Sequence, residues 1–275
     1  MKSLFTYLSL TVLFQYTNGQ EYVKLRLKFE GQSPIVYKVT MKPENIDSVQ
    51  MSLPLNANVN DSFAVKVKKG GDEMMIDMLK RQMKEEDYCV IKKINDNKFL
   101  VAFTNTDTSN DLLSISNKFD AYIDNLGNNL SFYLSDGVNI ITRLFFGLPE
   151  RKVTVGDTWQ TGLDMTSFNG VVKCDTSFKK DIVKVISIKS ENNDTLVELK
   201  YDFQEYFKGI FYIIPTTSNI QYYGTAIFSV NHGLWIRYDC IKQIQMTGWM
   251  NSKSKEIYRL EPISDYPKII LKDVP

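Results

Sequence analysis

Apolar and polar residues alternate along most of this 275-residue chain, and this alternation restricts the fold more than any other feature. The stretch 21–29, EYVKLRLKF, has an apolar residue at every second position from Val23 to Phe29. The same pattern recurs at 35–41, 46–53, 63–69, 88–104, 117–128, 182–190, 195–203, 218–230, 234–246 and 255–263. Because successive side chains of a strand point to opposite faces, the pattern predicts antiparallel strands with one solvated face. We therefore expect a mainly β fold, β-rich α+β in class, with one large curved antiparallel sheet, shaped as a half-barrel or split into two packed sheets.

Two segments instead repeat every 3.6 residues, which predicts two amphipathic helices. The first spans 72–87, and the second spans 130–146 and ends before Pro149. The apolar face of the first contains Met74, Met75, Met78, Leu79 and Met83. The apolar face of the second contains Leu130, Tyr133, Leu134, Val138, Ile141 and Phe145. We expect both helices to lie against the concave side of the sheet.

The first 19 residues have the pattern of a secretory signal peptide. Lys2 precedes an apolar run at 4–14, and Gly19 is small enough for the cleavage position. Export to the periplasm or the extracellular space follows, without a lipid anchor, because the first cysteine is Cys89. The remainder is interpreted as a single β-rich domain at 20–263, with halves 20–148 and 149–263, and a C-terminal tail at 264–275.

The charge balance of the chain argues against nucleic acid as a partner, and the spacing of its cysteines leaves the disulfide pairing open. With 33 Lys and Arg against 32 Asp and Glu, the chain has no electrostatic footprint for nucleic acid. No stretch after the leader is apolar enough for a transmembrane helix. Cys89, Cys174 and Cys240 allow three alternative single disulfides in an oxidising compartment, but we favour three small core residues.

No group of residues has the spacing of a catalytic, cofactor or metal site. The single histidine, His232, lies in the Asn-His-Gly turn of a predicted hairpin, so any histidine-dependent nucleophilic mechanism has to use it. The polar run from Asn105 to Asp111 has the alternation of a calcium loop, but it lacks the required glycine and glutamate. We therefore predict no cofactor and a protein that is not an enzyme.

The stretch 143–160, RLFFGLPERKVTVGDTWQ, is interpreted as a structural joint between the second helix and the later strands. Gly156 and Asp157 suit a turn with positive φ, and Trp159 has a large apolar surface to bury. We expect Trp159 to be buried among later strand residues, and Gly156 and Trp159 to contact no substrate.

Two quoted stretches, FGLPERKVTVGDTW at 146–159 and GTAIFSVNHGLW at 224–235, carry a family resemblance. Their pattern, L-P-x-x-x-V-x-V-G-D-x-W followed by G-x-x-x-F-x-x-x-x-G, resembles a group of uncharacterised secreted proteins and lipoproteins of Gram-negative bacteria. The matching residues are Leu148, Pro149, Val153, Val155, Gly156, Asp157, Trp159, Gly224, Phe228 and Gly233. The resemblance covers roughly residues 117–247, and it implies a compartment and an architecture but no chemistry.

We expect an exported soluble protein that binds a lipid or another apolar ligand in a cleft on the concave side of the sheet. Met75, Met78, Leu79 and Met83 are the candidate lining residues of that cleft, because methionine-rich faces adapt to apolar ligands. The alternative is a non-enzymatic scaffold or accessory subunit of the cell envelope. The expected partner is accordingly an apolar small molecule or an envelope protein.

Overall fold

The computed structural model describes residues 21–29, 34–43, 50–51, 86–107, 114–131, 142–164, 172–211, 214–248 and 250–266. The strands are β1 (Ile35–Pro43), β2 (Gln50–Met51), β3 (Glu86–Asn95), β4 (Lys98–Asp107), β5 (Ser114–Ile123), β6 (Thr158–Trp159), β7 (Val172–Glu191), β8 (Asp194–Phe211), β9 (Ile214–Ser229), β10 (Leu234–Thr247) and β11 (Met250–Ile263). Ten of them follow one another in one open antiparallel sheet, in the order β5-β4-β3-β1-β11-β10-β9-β8-β7-β6. The short β2 pairs with β11 beside this path. The predicted large antiparallel sheet is confirmed, as one sheet and not as two packed sheets.

Strict alternation of burial along the long strands explains why they form a sheet with one core face. On β8, Val197, Leu199, Tyr201 and Phe203 are buried, while the residues between them are partly or fully exposed. Phe228 of β9, which pairs with Val197, and Trp235 of β10, which pairs with Phe228, are buried on the same face. We call this side of the sheet the core face and the opposite side the outer face.

Residues 21–29 cross the core face as an extended segment, so the strand predicted there is wrong. Val23 makes a single antiparallel bridge with Val153, and Leu25 and Leu27 are almost completely buried. The guanidinium of Arg26 donates a hydrogen bond to the carbonyl of Pro149 over 2.7 Å. An extended segment that rests one side on a core has the same period of two as a sheet strand. The sequence pattern therefore does not distinguish the two arrangements.

The two predicted amphipathic helices are not supported. Residues 72–85 lie outside the described residues, and residues 86 and 87 belong to β3. Of the second segment, the structure describes one helical turn and a half at 142–146, which we call α1. Leu130 lies outside this helix, because its N–H donates to the carbonyl of Tyr122 over 2.7 Å and so holds the chain alongside β5.

Helix α1 supplies the apolar side chains that fill the core face next to residues 21–29. Phe145 and Phe146 are buried, and the Phe145 ring contacts the Tyr238 ring edge-on at 4.8 Å.

Strands from both predicted halves of the chain share the sheet through the pairing of β1 with β11. No helix in the described part of the chain is long and apolar enough to cross a membrane.

Cys89 and Cys240 are buried free thiols, so none of the three alternative disulfides is present, since each needs at least one of these residues. Burial raises the pKa of both thiols well above the usual range, that of Cys240 to about 12. Only the thiolate reacts readily with alkylating agents. Both thiols should therefore be inert while the protein is folded.

We expect iodoacetamide to leave Cys89 and Cys240 unmodified in the folded protein at pH ~8.5, where an ordinary thiol is about half ionised. The measurement is the mass of a Cys174→Ala variant, which retains only these two thiols. Two labels should appear when the same variant is unfolded in urea. Labelling of either thiol in the folded protein at the rate of a free thiol would contradict the described burial.

Candidate functional site

A groove of about 790 Å³ opens at the end of the sheet where β1 begins and β11 ends, beside the turn that joins β9 to β10. Its walls are mainly apolar and come from residues distant in sequence: Phe29, Pro34, Ile35, Val36, Leu234, Pro262, Ile263 and Tyr266. His232 and Ser264 complete the lining. We call this feature the rim groove. Its volume lies within the range of small-molecule sites, which are mostly apolar with a few polar groups.

Three polar side chains of the rim groove are available to a ligand. His232 and Ser264 are exposed, and Tyr266 is half-buried against Val36. Within the described part of the chain, the imidazole, the hydroxyl and the phenol of these three residues make no hydrogen bond. Together they offer hydrogen-bond donors and acceptors beside apolar walls. A ligand with an apolar body and a polar end fits this combination.

Phe29 enters the rim groove in a strained backbone conformation. Its φ of 47° lies in the left-handed region, which is unusual for an aromatic residue. The Phe29 N–H donates to the carbonyl of His232 over 3.2 Å, and the Phe29 ring contacts the Phe99 ring edge-on at 5.1 Å. Strain of this kind persists only where the surroundings impose it, and it is concentrated at functional sites.

The turn that carries His232 is held by its neighbours. The Ser229 hydroxyl accepts a hydrogen bond from the His232 N–H over 3.1 Å and donates one to Asp194. Asp194 also accepts the Asn231 N–H, and so links this turn to the one between β7 and β8. The position of His232 in the groove wall is therefore fixed by the sheet.

The motif at 153–159 forms a tight turn that leads from α1 to the edge of the sheet. Gly156 has a φ of 90°, and its N–H donates to the carbonyl of Val185 on β7. Asp157 accepts hydrogen bonds from the Thr154 N–H over 3.0 Å and from Arg151 over 2.6 Å. These bonds stabilise the turn, and through them the side chain of Asp157 has a structural role.

Trp159 is half-buried, so less of its side chain is removed from water than its sequence context predicts. It packs against the core, and its indole N–H donates to the carbonyl of Gly147 over 3.1 Å. Part of the ring faces a second cavity of about 400 Å³, next to Arg143 and Glu150. Leu148 and Pro149 of the motif line the same cavity and are buried.

The later motif residues lie in the β9–β10 hairpin. Phe228 is buried, and its ring contacts the Trp235 ring edge-on at 4.8 Å. Gly224 faces the β10 backbone so closely that a Cβ there would lie 2.0 Å from the carbonyl oxygen of Asp239. Gly233 ends the turn that carries His232, with a φ of 65°. Gly233 thus belongs both to the motif and to the turn beside the rim groove.

A cluster of polar side chains lies on the core face between β9, β10 and β11. The Lys242 ammonium lies 3.2 Å from a Glu256 carboxylate oxygen and 3.4 Å from the Tyr258 hydroxyl. Burial, the largest single influence, lowers the pKa of Lys242, but Tyr222, Tyr258 and Glu256 together outweigh it and the pKa is raised. Lys242 is thus a cation paired with Glu256, and removing either partner alone would leave the other charge uncompensated on the core face.

The candidate lining residues predicted from the sequence cannot be compared with the rim groove. The candidate lining residues Met75, Met78, Leu79 and Met83 lie outside the described residues. Among the residues that are described, no three His, Cys, Asp or Glu side chains are placed to hold a metal ion. Sequence reasoning missed the groove-lining role of Phe29, and it treated His232 only as a turn residue. The Asn-His-Gly turn was the one available signal.

Comparison of the chain with family models, with curated proteins and with solved structures finds no match. The function is therefore argued from the geometry of the rim groove. Apolar walls, three available polar groups and a strained aromatic residue occur together there.

Proposed function

We propose that this protein is an exported, non-enzymatic binding protein that holds an amphipathic small molecule, such as a fatty acid, in the rim groove. One observation carries the proposal: a groove of about 790 Å³ that is lined mostly by apolar residues and also presents hydrogen-bonding side chains. The apolar walls accept the chain of the ligand, and His232, Ser264 and Tyr266 receive its polar end. The signal-peptide pattern of residues 1–19 supports export.

The hydrophobic effect supplies most of the binding free energy in such a groove. Each methylene group transferred from water contributes about 0.8 kcal/mol, which corresponds to roughly a fourfold change in affinity. Association itself costs at least ~4 kcal/mol, so short chains should bind weakly. The affinity should therefore rise steeply with chain length until the ligand fills the groove.

The strained conformation of Phe29 is consistent with a groove that exists before the ligand arrives. The hydrogen bond from Phe29 to His232 and the contact with Phe99 hold the aromatic wall in place. A wall that needs no rearrangement loses little conformational entropy on binding. We therefore expect the same fold with and without ligand.

Calorimetric titration with saturated fatty acids of increasing chain length tests the proposal. The affinity should rise by roughly fourfold per methylene from about C8 to C12. Ser264→Trp should abolish binding, because Ser264 is exposed and lines the groove, so a bulky side chain fills the space without entering the core.

Ser190→Trp is the matched control, since Ser190 is also exposed but lies on β7 outside the groove. It should bind like the parent protein. Absence of heat with every chain length, or equal binding by both variants, would overturn the proposed function. Native mass spectrometry of gently purified protein should also detect a bound lipid-sized molecule.

A further inference from the structure

Strand β7 leaves part of its backbone without a strand partner. Its inner side pairs with β8 along almost its whole length, but β6 pairs with only Val183 and Lys184 on its outer side. Residues 156 and 157 extend this contact to Val185. After β6, residues 161–163 do not pair with the β7 backbone. Their N–H groups donate instead to the side-chain carboxylate of Asp181. Among the described residues, no strand pairs with the outer side of 172–182, which we call the free edge.

The free edge carries exposed apolar side chains. Phe178 is 51% exposed and Ile182 is 36% exposed, and both lie on the outer face. Natural sheets usually protect such edges with charges, prolines or a covering segment. Lys180 is engaged within the chain, 2.5 Å from Asp202, whereas the exposed Lys179 lies 3.4 Å from Glu205 and would share its charge between Glu205 and a partner across the edge.

The central part of the free edge, DTSFK at 175–179, is complementary to itself when it is reversed about Ser177. An antiparallel pair of two such edges places Asp175 opposite Lys179. The register is not extended beyond Asp175, because the pairing of β7 with β8 shifts between Cys174 and Thr176. Opposite charges facing each other across two strands are favourable, and like charges are not. A pairing about Ser177 also stays clear of Val183 and Lys184, which β6 covers.

Other symmetric registers are less favourable. A two-fold axis at Lys180 places Lys180 opposite itself, and an axis at Ile182 places Lys180 opposite Lys184. Both juxtapose like charges and also collide with the position that β6 occupies. Of these three registers, only the axis at Ser177 avoids like-charge pairs and also avoids the residues that β6 covers.

We propose that two copies of this chain form a dimer by antiparallel pairing of their free edges about a two-fold axis at Ser177. Each interface then uses the same surface on both subunits, as closed two-fold symmetry requires. The two Asp175–Lys179 contacts set the register, because both side chains are exposed, whereas Asp181 is buried and bound to residues 161–163. The dimer does not depend on the proposed ligand.

Sedimentation equilibrium of the full mature chain, at concentrations up to about 100 µM, tests the proposal. The parent should be dimeric. Asp175→Lys and Lys179→Asp should each weaken the dimer by roughly tenfold or more, because each creates two like-charge contacts. Mixed in equal amounts, the two variants should form a heterodimer as tight as the parent, since both contacts are again between opposite charges. Lys184→Asp, on the same strand but outside the free edge, should leave the dimer unchanged.

Circular dichroism and thermal unfolding show whether each variant is folded, which matters because Lys179 also pairs with Glu205.

The variant Ser177→Pro tests the same pairing through the backbone. The Val185 N–H donates to the carbonyl of Asp157, so it points to the outer side of β7. Backbone N–H groups of a strand alternate between its two sides. The N–H of Ser177, eight residues earlier, therefore also points to the outer side. Proline is tolerated where an edge N–H has no partner, so this variant should fold and be monomeric. Any of three results would overturn the proposal. The parent could be monomeric, each charge variant could dimerise as well as the parent, or the mixture of the two variants could form no heterodimer.

Discussion

Raising the pH from about 8.5 to about 10.5 should lower the free energy of unfolding by about 5 kcal/mol, before the contribution of the buried tyrosines is added. The cause is the pair of buried thiols, Cys89 and Cys240, whose pKa values burial raises, that of Cys240 to about 12. In the unfolded chain both thiols ionise near pH ~8.5, so protons leave the unfolded state first. A group with a raised folded pKa contributes full stability below the unfolded pKa and loses it as the pH rises. Between these two pH values each thiol accounts for about 2.3 kcal/mol, because it is already half ionised in the unfolded chain at pH ~8.5.

Urea unfolding at a series of pH values measures this loss. The control is the double variant Cys89→Ala and Cys240→Ala, whose stability should stay nearly level between about pH 8.5 and pH 9.5. Burial also raises the pKa of Tyr37, Tyr201 and Tyr238, so both proteins should lose stability above pH ~10, where unfolded tyrosine ionises. A parent protein as stable at pH ~10.5 as at pH ~8.5 would show that these groups are not buried as described.

Replacing Gly233 by alanine should destabilise the protein by about 2–5 kcal/mol, through two additive causes. Gly233 has a φ of 65°, which costs an L-residue about 1–2 kcal/mol. A Cβ there would also lie 2.4 Å from the Lys28 nitrogen and 2.6 Å from the Arg26 oxygen, both backbone atoms of the segment that crosses the core face. Inserting an atom into a packed site costs about 1–3 kcal/mol more.

Gly156→Ala separates the two causes. Gly156 has a φ of 90°, but nothing lies within 4 Å of the position that its Cβ would occupy. Only the conformational cost applies, so chemical denaturation should show a loss of about 1–2 kcal/mol. Equal losses for the two variants would mean that residues 26–28 do not pack on the turn at 231–233 as the structure describes.

The alternation of residues was sufficient to predict the antiparallel sheet, because strands such as β8 bury every second side chain on a single face. It was not sufficient for residues 21–29, which have the same period while crossing the core face. The helical pattern at 130–146 was misleading near its start, where hydrogen bonds to Tyr122 hold Leu130 and Ser131 beside β5. In both places a tertiary contact, and not the local pattern, decides the conformation.

The rim groove was beyond sequence reasoning for a different reason. Its lining comes from both ends of the described chain, and Val36 meets Ile263 only because β1 pairs with β11. Pairings between distant segments have no local signature, so a groove at their junction has none either. His232 was noticed as a turn residue, but its place in an apolar wall depends on the strained Phe29 that binds to its carbonyl.

Photo-crosslinking with a fatty acid that carries a diazirine on its chain tests most directly whether the rim groove is the binding site. After irradiation and digestion, the groove account predicts adducts in residues 34–36, at Leu234 and in residues 262–266. An excess of unmodified fatty acid should suppress these adducts, and Ser264→Trp should remove them. Adducts that are suppressed by competitor but map to other parts of the chain, or no suppressible adduct at all, would contradict it.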